Sequence, residues 1–241
     1  MSGQLYGVGT GPGDPELLTI KAARAIERAD VVAYFAKAGN ASNARRIVAD
    51  LIGSEQIEEA LDYPVTTEIE RHHDDYKSQM EAFYEAAAAR IAAHLDAGRT
   101  VAVLSEGDPL FYGSYMHLHV RLASTYPTEV IPGITAMSGC WSAAGLPLVQ
   151  GDDILAVLPG TLDEAELLRR LGDSDGAVIM KVGRNLPKIR RAVAAAGRLE
   201  TAVYVERGTM ANGLSMRLAD KADDVAPYFA LILVPGWSHR P

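Results

Sequence analysis

The sequence predicts an α/β protein of two domains with mainly parallel sheets. Three observations carry that expectation. Short apolar runs alternate with amphipathic stretches along most of the 241 residues, as strands joined by helical crossovers do. The first run empties into an unusually bare turn, LYGVGTGPGDPELLT (5–19), where Gly7, Gly9, Gly11 and Gly13 fall on every second residue. The chain on either side of the stretch 126–132 is long enough for a domain of ordinary size, which places the boundaries at 1–126 and 127–241.

Taken in order, the first strand is expected over 4–8. A helix follows over 15–28, with Asp14 as its cap and Pro15 at the first helical position. A strand over 30–35 and a helix over 42–51 come next. The helix over 68–97 is the clearest, because Tyr76, Met80, Phe83, Tyr84, Ala87, Ile91 and Leu95 recur every three or four residues and make one apolar stripe. Gly98 supplies its stop signal. The pattern continues with a strand over 100–104, a helix over 112–124, a strand over 129–131 and a helix over 134–143. The second half carries strands over 154–158, 177–181, 202–205 and 229–234. Helices are expected there over 163–171 and 186–196, the latter stopped by Gly197.

Composition limits the function. Hydrophobic residues make up 48% and charged residues 22%, as in a water-soluble globular protein. The net charge of −8 argues against general attraction to nucleic acid or membrane. Cys140 is the single cysteine, so no internal disulfide forms and a reducing cytoplasm fits. The start of the chain lacks the pattern of a signal peptide, and no apolar run reaches spanning length.

Ligands of parallel sheets bind outside the carboxyl ends of strands, so three loops matter. Gly9–Pro15 matches neither common phosphate fingerprint: the loop has no Lys, and Pro12 stands where G-x-G-x-x-G needs glycine. Glycine there serves a sharp bend or a close approach. LSEGDPLFYGS (104–114) offers Gly107 for a tight path and Asp108 as a cap or a ligand contact. IPGITAMSG (131–139) turns at Pro132-Gly133 and opens a helix of small residues, suited to a ligand or to close helix packing.

In this order the motifs G-V-G-T-G-P-G-D-P-E-L-L-T (7–19), G-D-P-L-F-Y-G (107–113) and P-G-I-T-A (132–136), followed by AVIMKVGRN (177–185) and VYVERGT (203–209), resemble the S-adenosylmethionine-dependent tetrapyrrole methylases over nearly the whole chain. YPVTTE (63–68) and AYFAKAG (33–39) are most similar to the branch that methylates carbon 20 of precorrin-2 or of its cobalt-bearing counterpart. The resemblance implies two αβα domains with a cofactor cleft between them, S-adenosylmethionine as donor, no protein-bound metal, and a homodimer. It also implies cofactor contacts at Pro12, Glu106, Gly107, Asp108, Phe111, Thr135 and Ala136, then at Met180, Lys181 or Val182, and at Thr209, Met210 and Ala211. Relatives that methylate uroporphyrinogen carry an Asp where Phe35 follows Tyr34 and a Gly where Glu106 stands, so no general base transfers.

A sulfonium methyl is already activated, and its displacement by an electron-rich meso carbon needs alignment more than acid or base. Tyr34, Tyr112 and Tyr115 are the possible assistants in proton loss. The substrate is a polycarboxylate, for which a local basic trough would matter more than overall charge. Lys37, Arg184 and Arg207 follow strand ends and suit it best; Arg45, Arg46, His72, His73 and Lys77 are more simply solvated surface groups. His117 and His119 lie two apart and point to different sides of a helix, so no metal site is read. The competing readings are a sister methylase acting on diphthine or ribosomal RNA, a binding module that has lost turnover, and a structural α/β protein with tight turns.

Overall fold

The computed structural model describes residues 2–37, 39–64 and 74–236. Two compact units divide the chain, Met1–Thr135 and Ala136–Pro241. The division falls after the expected boundary because the strand near residue 130 hydrogen-bonds into the first sheet.

The first unit contains β1 (Leu5–Gly9), α1 (Ile20–Arg28), β2 (Val31–Lys37), α2 (Asn43–Ile47), β3 (Ile57–Tyr63), α3 (Asp74–Asp96), β4 (Val101–Ser105), α4 (Tyr115–Leu122) and β5 (Thr128–Ile131). Its sheet runs β3-β2-β4-β1-β5, and every described pairing is parallel. β4 is buried at all five positions, as a central parallel strand covered on both faces must be. Val101 and Val103 point to one face, where they meet Ile91 and Leu95 of α3 and Leu118 and Leu122 of α4. Ala102 and Leu104 point to the other, against Ala22 and Ile26 of α1 and Ala44 and Ile47 of α2. Two helical layers thus enclose one sheet.

Local chemistry sets the helix limits. The expected helix over 15–28 is two pieces: Asp14 accepts from the Glu16 N–H at 2.9 Å to cap a short turn. Thr19 is extended and accepts from the Ala22 N–H at 3.1 Å to begin α1 afresh. α4 starts later than expected because Tyr112 is left-handed, with φ 56°. Gly98, with φ 78°, closes α3 while its N–H bonds to the Leu95 carbonyl at 3.0 Å. Residues 68–73 of the expected long helix lie outside the described residues.

The second unit contains α5 (Ala136–Ala143), β6 (Leu155–Pro159), α6 (Glu164–Gly172), β7 (Gly176–Met180), α7 (Leu186–Ala195), β8 (Val203–Glu206), β9 (Leu214–Arg217) and β10 (Ala230–Val234). Its sheet, β6-β7-β10-β8-β9, is mixed. β6 and β7 are parallel, whereas β10 runs antiparallel to both β7 and β8, and β9 returns antiparallel to β8. No helix separates β8 from β9, so that connection is a local reversal and not a crossover. One face packs on α6 and α7 through Leu167, Leu171, Ile189 and Val193, and the other on α5 through Cys140.

Candidate functional site

The order of the first sheet marks a candidate ligand crevice. From β1 the chain crosses by α1 to β2, on the face that α2 also covers. From β4 it crosses by α4 to β5, in the opposite direction, on the face shared with α3. β1 and β4 are neighbours whose outgoing connections part to opposite faces. That is a topological switch point, where open α/β sheets bind ligands beyond the carboxyl ends of the strands. The loops leaving these two strands are Thr10–Thr19 and Glu106–Ser114.

Backbone groups and one hydroxyl tie the first loop to the end of β4 and the second loop. The Thr10 N–H bonds to the Ser105 carbonyl at 2.8 Å, and the Thr10 hydroxyl donates to the same oxygen at 3.1 Å. Gly107 donates to the Gly11 carbonyl at 2.8 Å and accepts from the Gly11 N–H at 3.4 Å. The third loop closes on this pair. A Cβ on Gly9 would stand 2.5 Å from the Gly133 nitrogen and 2.7 Å from the Gly107 oxygen; one on Gly133 would stand 2.0 Å from that same oxygen. Asp108 completes the lock, accepting from the Leu110 N–H at 2.9 Å with Oδ1 and from the Gly133 N–H at 3.2 Å with Oδ2. The bare turns therefore serve loop-on-loop contact, and Asp108 holds the second and third loops together.

The other residues named from sequence in this unit have distinct settings. Pro12, Phe111 and Thr135 are half-buried at this junction. Glu106 is exposed, although both neighbours in the chain are pinned to the first loop. Tyr115 corrects an expectation: it is fully buried, packed at Gly7, and burial pushes its phenol up to about 12, so it belongs to the core and not to proton transfer. Burial and a hydrogen bond to Glu58 raise the Tyr34 phenol, and Glu58 is itself held by Arg45 through two contacts of 2.9 Å. Arg45 is thus committed within the protein. Arg46 donates to Asn43 Oδ1 at 2.5 Å. Tyr112 is 49% exposed and meets Phe111 edge-on at 4.9 Å between ring centres. Lys37 closes β2 in an exposed position, Lys77 is exposed on α3, and His72 and His73 lie outside the described residues. His117 stacks on Tyr84 at 3.9 Å while the His119 ring lies 3.4 Å from the Tyr115 hydroxyl.

In the second unit Ala136 and Met180 pack into one apolar cluster with Cys140, Val205 and Leu231. Val182 is a second correction: its side chain is fully buried in the opposite cluster with Leu186 and Ile189 and lines no ligand surface. Lys181, between them, is exposed and left-handed with φ 57°. Arg207, the residue after β8, is also left-handed, with φ 47°. Its N–H bonds to the Phe229 carbonyl at 3.0 Å, its own carbonyl accepts from the Met210 N–H at 2.8 Å, and its guanidinium lies 3.4 Å from Glu206. Tyr112, Lys181 and Arg207 are the non-glycine residues with positive φ among the described residues. Such backbone is uncommon and concentrates where structure over-determines a loop. Gly208 abuts α5, because a Cβ there would lie 2.8 Å from Cys140 Sγ. Thr209 Oγ1 is buried without a hydrogen-bond partner among the described residues, Met210 is half-buried and Ala211 is exposed. Arg184 is exposed in the short turn before α7.

Sequence reading missed Ser105. It ends β4 at 6% exposure, and its Oγ is buried without a partner among the described residues. The signal was a hydroxyl closing an otherwise wholly apolar strand. Among the described residues no group of three or more His, Cys, Asp or Glu side chains is arranged to hold a metal, and no helix is long and apolar enough to cross a membrane.

Comparison with known proteins gives the family and the fold. A family model described as Tetrapyrrole (Corrin/Porphyrin) Methylases matches residues 4–219. The chain is 70% identical over 239 residues to the precorrin-2 C(20)-methyltransferase of a Sinorhizobium species, covering 99% of this chain and 98% of that protein. It is 30% identical over 237 residues to the cobalt-precorrin-2 C(20)-methyltransferase of Salmonella typhimurium, covering 97% of each. The crystal structure of a uroporphyrin-III C-methyltransferase from Thermus thermophilus, complexed with S-adenosylhomocysteine, aligns with a TM-score of 0.67 at 26% identity, covering 96% of this chain and 97% of that one.

Proposed function

Because this chain belongs to the tetrapyrrole (corrin/porphyrin) methylases, we propose that it transfers the methyl group of S-adenosylmethionine to carbon 20 of precorrin-2, yielding precorrin-3A in cobalamin biosynthesis. The observation that carries this reading is the 70% identity to a precorrin-2 C(20)-methyltransferase, spread over 99% of the chain. The metal-free acceptor is preferred to its cobalt-bearing counterpart because identity to the cobalt-precorrin-2 enzyme is only 30%.

The residues present fit the donor. It has no phosphate to cradle, and the loops at the switch point present backbone and small side chains in place of a Lys-bearing phosphate loop. Two buried hydroxyls, Ser105 Oγ and Thr209 Oγ1, lack partners among the described residues, and an unmet buried polar group favours a ligand that satisfies it. On the first unit the donor contacts are Pro12, Gly107, Phe111, Thr135 and the backbone of Glu106, with Asp108 holding the wall in shape. On the second unit they are Ala136, Met180, Lys181 and Thr209–Ala211. The donor, when bound, supplies a methyl on a neutral leaving group. The work left to the chain is to hold methyl and acceptor carbon in line, which in well-oriented systems contributes roughly 7–11 kcal/mol. Lys37, Arg184 and Arg207 supply cationic contacts for the carboxylates of the macrocycle, Arg by its two-pronged fork. The enzyme acts in the cytoplasm as a homodimer.

The test is incubation with precorrin-2 and S-adenosylmethionine carrying a carbon-13 methyl. One new methyl resonance at carbon 20 is expected. Label at another ring carbon keeps the family and discards this acceptor position; no transfer to any reduced tetrapyrrole, with the donor still bound, leaves a binding module.

A further inference from the structure

The proposed reaction releases a proton, and none of the tyrosines suggested by sequence is well placed to receive it. Tyr115 is buried at Gly7, Tyr34 is engaged by Glu58, and the Tyr112 ring is packed edge-on against Phe111. Carboxylates at the mouths of β1 and β4 are the remaining acceptors. Asp14 accepts from the Glu16 N–H to cap its turn, Glu16 itself is exposed in that turn seven residues beyond the end of β1, and both oxygens of Asp108 accept from backbone. Glu106 differs from all three. Its backbone sits between Ser105 and Gly107, each hydrogen-bonded to the first loop, so the position of its Cα is fixed at the switch point. The residue as a whole is exposed. α2 supplies the groups that face it: Asn43, which hydrogen-bonds the carboxyl, and the charged Arg46, which donates to Asn43 Oδ1.

We propose that Glu106 is the catalytic residue that accepts the proton lost from carbon 20, with Asn43 and Arg46 positioning its carboxylate. The inference rests on the methyl-transfer reading above. As the bond from carbon 20 to the methyl forms, the bond from sulfur to the methyl breaks and its electron pair stays on sulfur. The C20–H pair then returns to the ring, and the proton passes to a Glu106 oxygen. Although the residue as a whole is exposed, its carboxyl end is desolvated beside α2, and this raises its proton affinity above that of an ordinary carboxyl, against the opposing pull of Asn43 and Arg46. A carboxylate so adjusted is a better base near neutral pH.

The experiment compares the intact enzyme with Glu106→Gln and Glu106→Asp. Donor affinity is measured by calorimetry, turnover against pH with precorrin-2, and carboxyl titration by carbon NMR on Glu-labelled protein. The carboxyl signal absent from the Gln variant should titrate above the normal Glu range. Gln should bind the donor as the wild type does, because the backbone wall is intact. Its kcat should fall roughly 10²–10⁴-fold, the usual contribution of a positioned base. The acidic limb of its pH profile should vanish, while Asp retains that limb. Precorrin-2 deuterated at carbon 20 should show a larger isotope effect with Gln than with wild type. A Gln enzyme with wild-type kcat, or one whose kcat falls only in step with donor affinity, overturns the assignment while the methyl-transfer reading stands. A wild-type enzyme that labels a different carbon removes that reading, and this one with it.

Discussion

Gly7 and Tyr115 share one space: a Cβ on Gly7 would lie 2.2 Å from Tyr115 Cζ and 2.7 Å from its hydroxyl oxygen. The ring is fully buried, among Leu5, Val103 and Leu118. A large aromatic is thus seated under the central strands by removing a side chain from β1, one turn of the pleat below the loop where the ligand is proposed to bind.

Gly7→Ala should therefore destabilise the first unit. The added methyl meets a ring that has no free volume to enter, and overpacking of this kind costs about 1–3 kcal/mol. Chemical denaturation should show a lower midpoint with an unchanged slope. Tyr115→Phe should leave kcat near the wild-type value, since its hydroxyl makes only a 3.4 Å contact with His119 and faces no ligand. A large loss of kcat in that variant would return Tyr115 to the chemistry.

Gly133→Ala acts at the junction itself. Its Cβ would fall 2.0 Å from the Gly107 carbonyl oxygen and 2.9 Å from Gly9 Cα, and these are backbone atoms that cannot swing away. The third loop must lift off the other two. The expected outcome is at least about tenfold weaker donor binding by calorimetry, or ~1.4 kcal/mol, with circular dichroism close to that of the wild type. Unchanged affinity would show that the junction is not the donor wall.

Asp108→Asn tests the same junction through hydrogen bonding. Both Asp108 oxygens accept from backbone N–H groups, those of Leu110 and Gly133. The amide keeps one acceptor and turns a donor toward the other N–H, leaving it unpaired at a cost of about 1–3 kcal/mol. Donor affinity and thermal stability should fall together. If stability falls alone, Asp108 is a structural clamp with no effect on the wall.

The sequence announced the apolar strands but not β3 or β9, two of the four edge strands. β3 carries Glu58, Glu59 and Asp62, and β9 has surface-facing Leu214 and Ser215. One side of an edge strand meets solvent; the edges β5 and β6 still keep short apolar runs, whereas β3 and β9 are broken by polar residues and lack the run that marked β4 and β10. The loops were found because glycine and proline are rare in such density. Their purpose was only half legible: periodicity cannot say whether a missing side chain admits a ligand, as first read, or a neighbouring backbone, as Gly9 and Gly133 do. The resemblance implies a cofactor contact at Met180, Lys181 or Val182, without saying which. The left-handed turn at Lys181 follows Met180, and Val182 packs into the cluster opposite the one that holds Met180. Backbone handedness at one non-glycine residue is not visible in a list of side chains.

Alkaline pH should weaken the fold through buried acids, of which Cys140 and Tyr115 titrate within the accessible range and Tyr204 is pushed higher still. Burial pushes the Cys140 thiol up from 9.0 to about 11 and the Tyr115 phenol up from 10.0 to about 12. Above pH 9 the unfolded chain gives up protons that the folded protein still holds, so the folded state binds more protons and stability falls as pH rises. The Cys140 contribution is lost between about 9 and 11, and that of Tyr115 between about 10 and 12. Denaturation midpoints taken across this range should decline, and Cys140→Ser should flatten the lower part of the curve, because a serine hydroxyl does not ionise there. The same burial makes the thiolate scarce at neutral pH. Iodoacetamide should therefore label Cys140 rapidly in denaturant and very slowly in the native protein; equal rates would place the thiol in solvent and remove its contact with Gly208 from the structure.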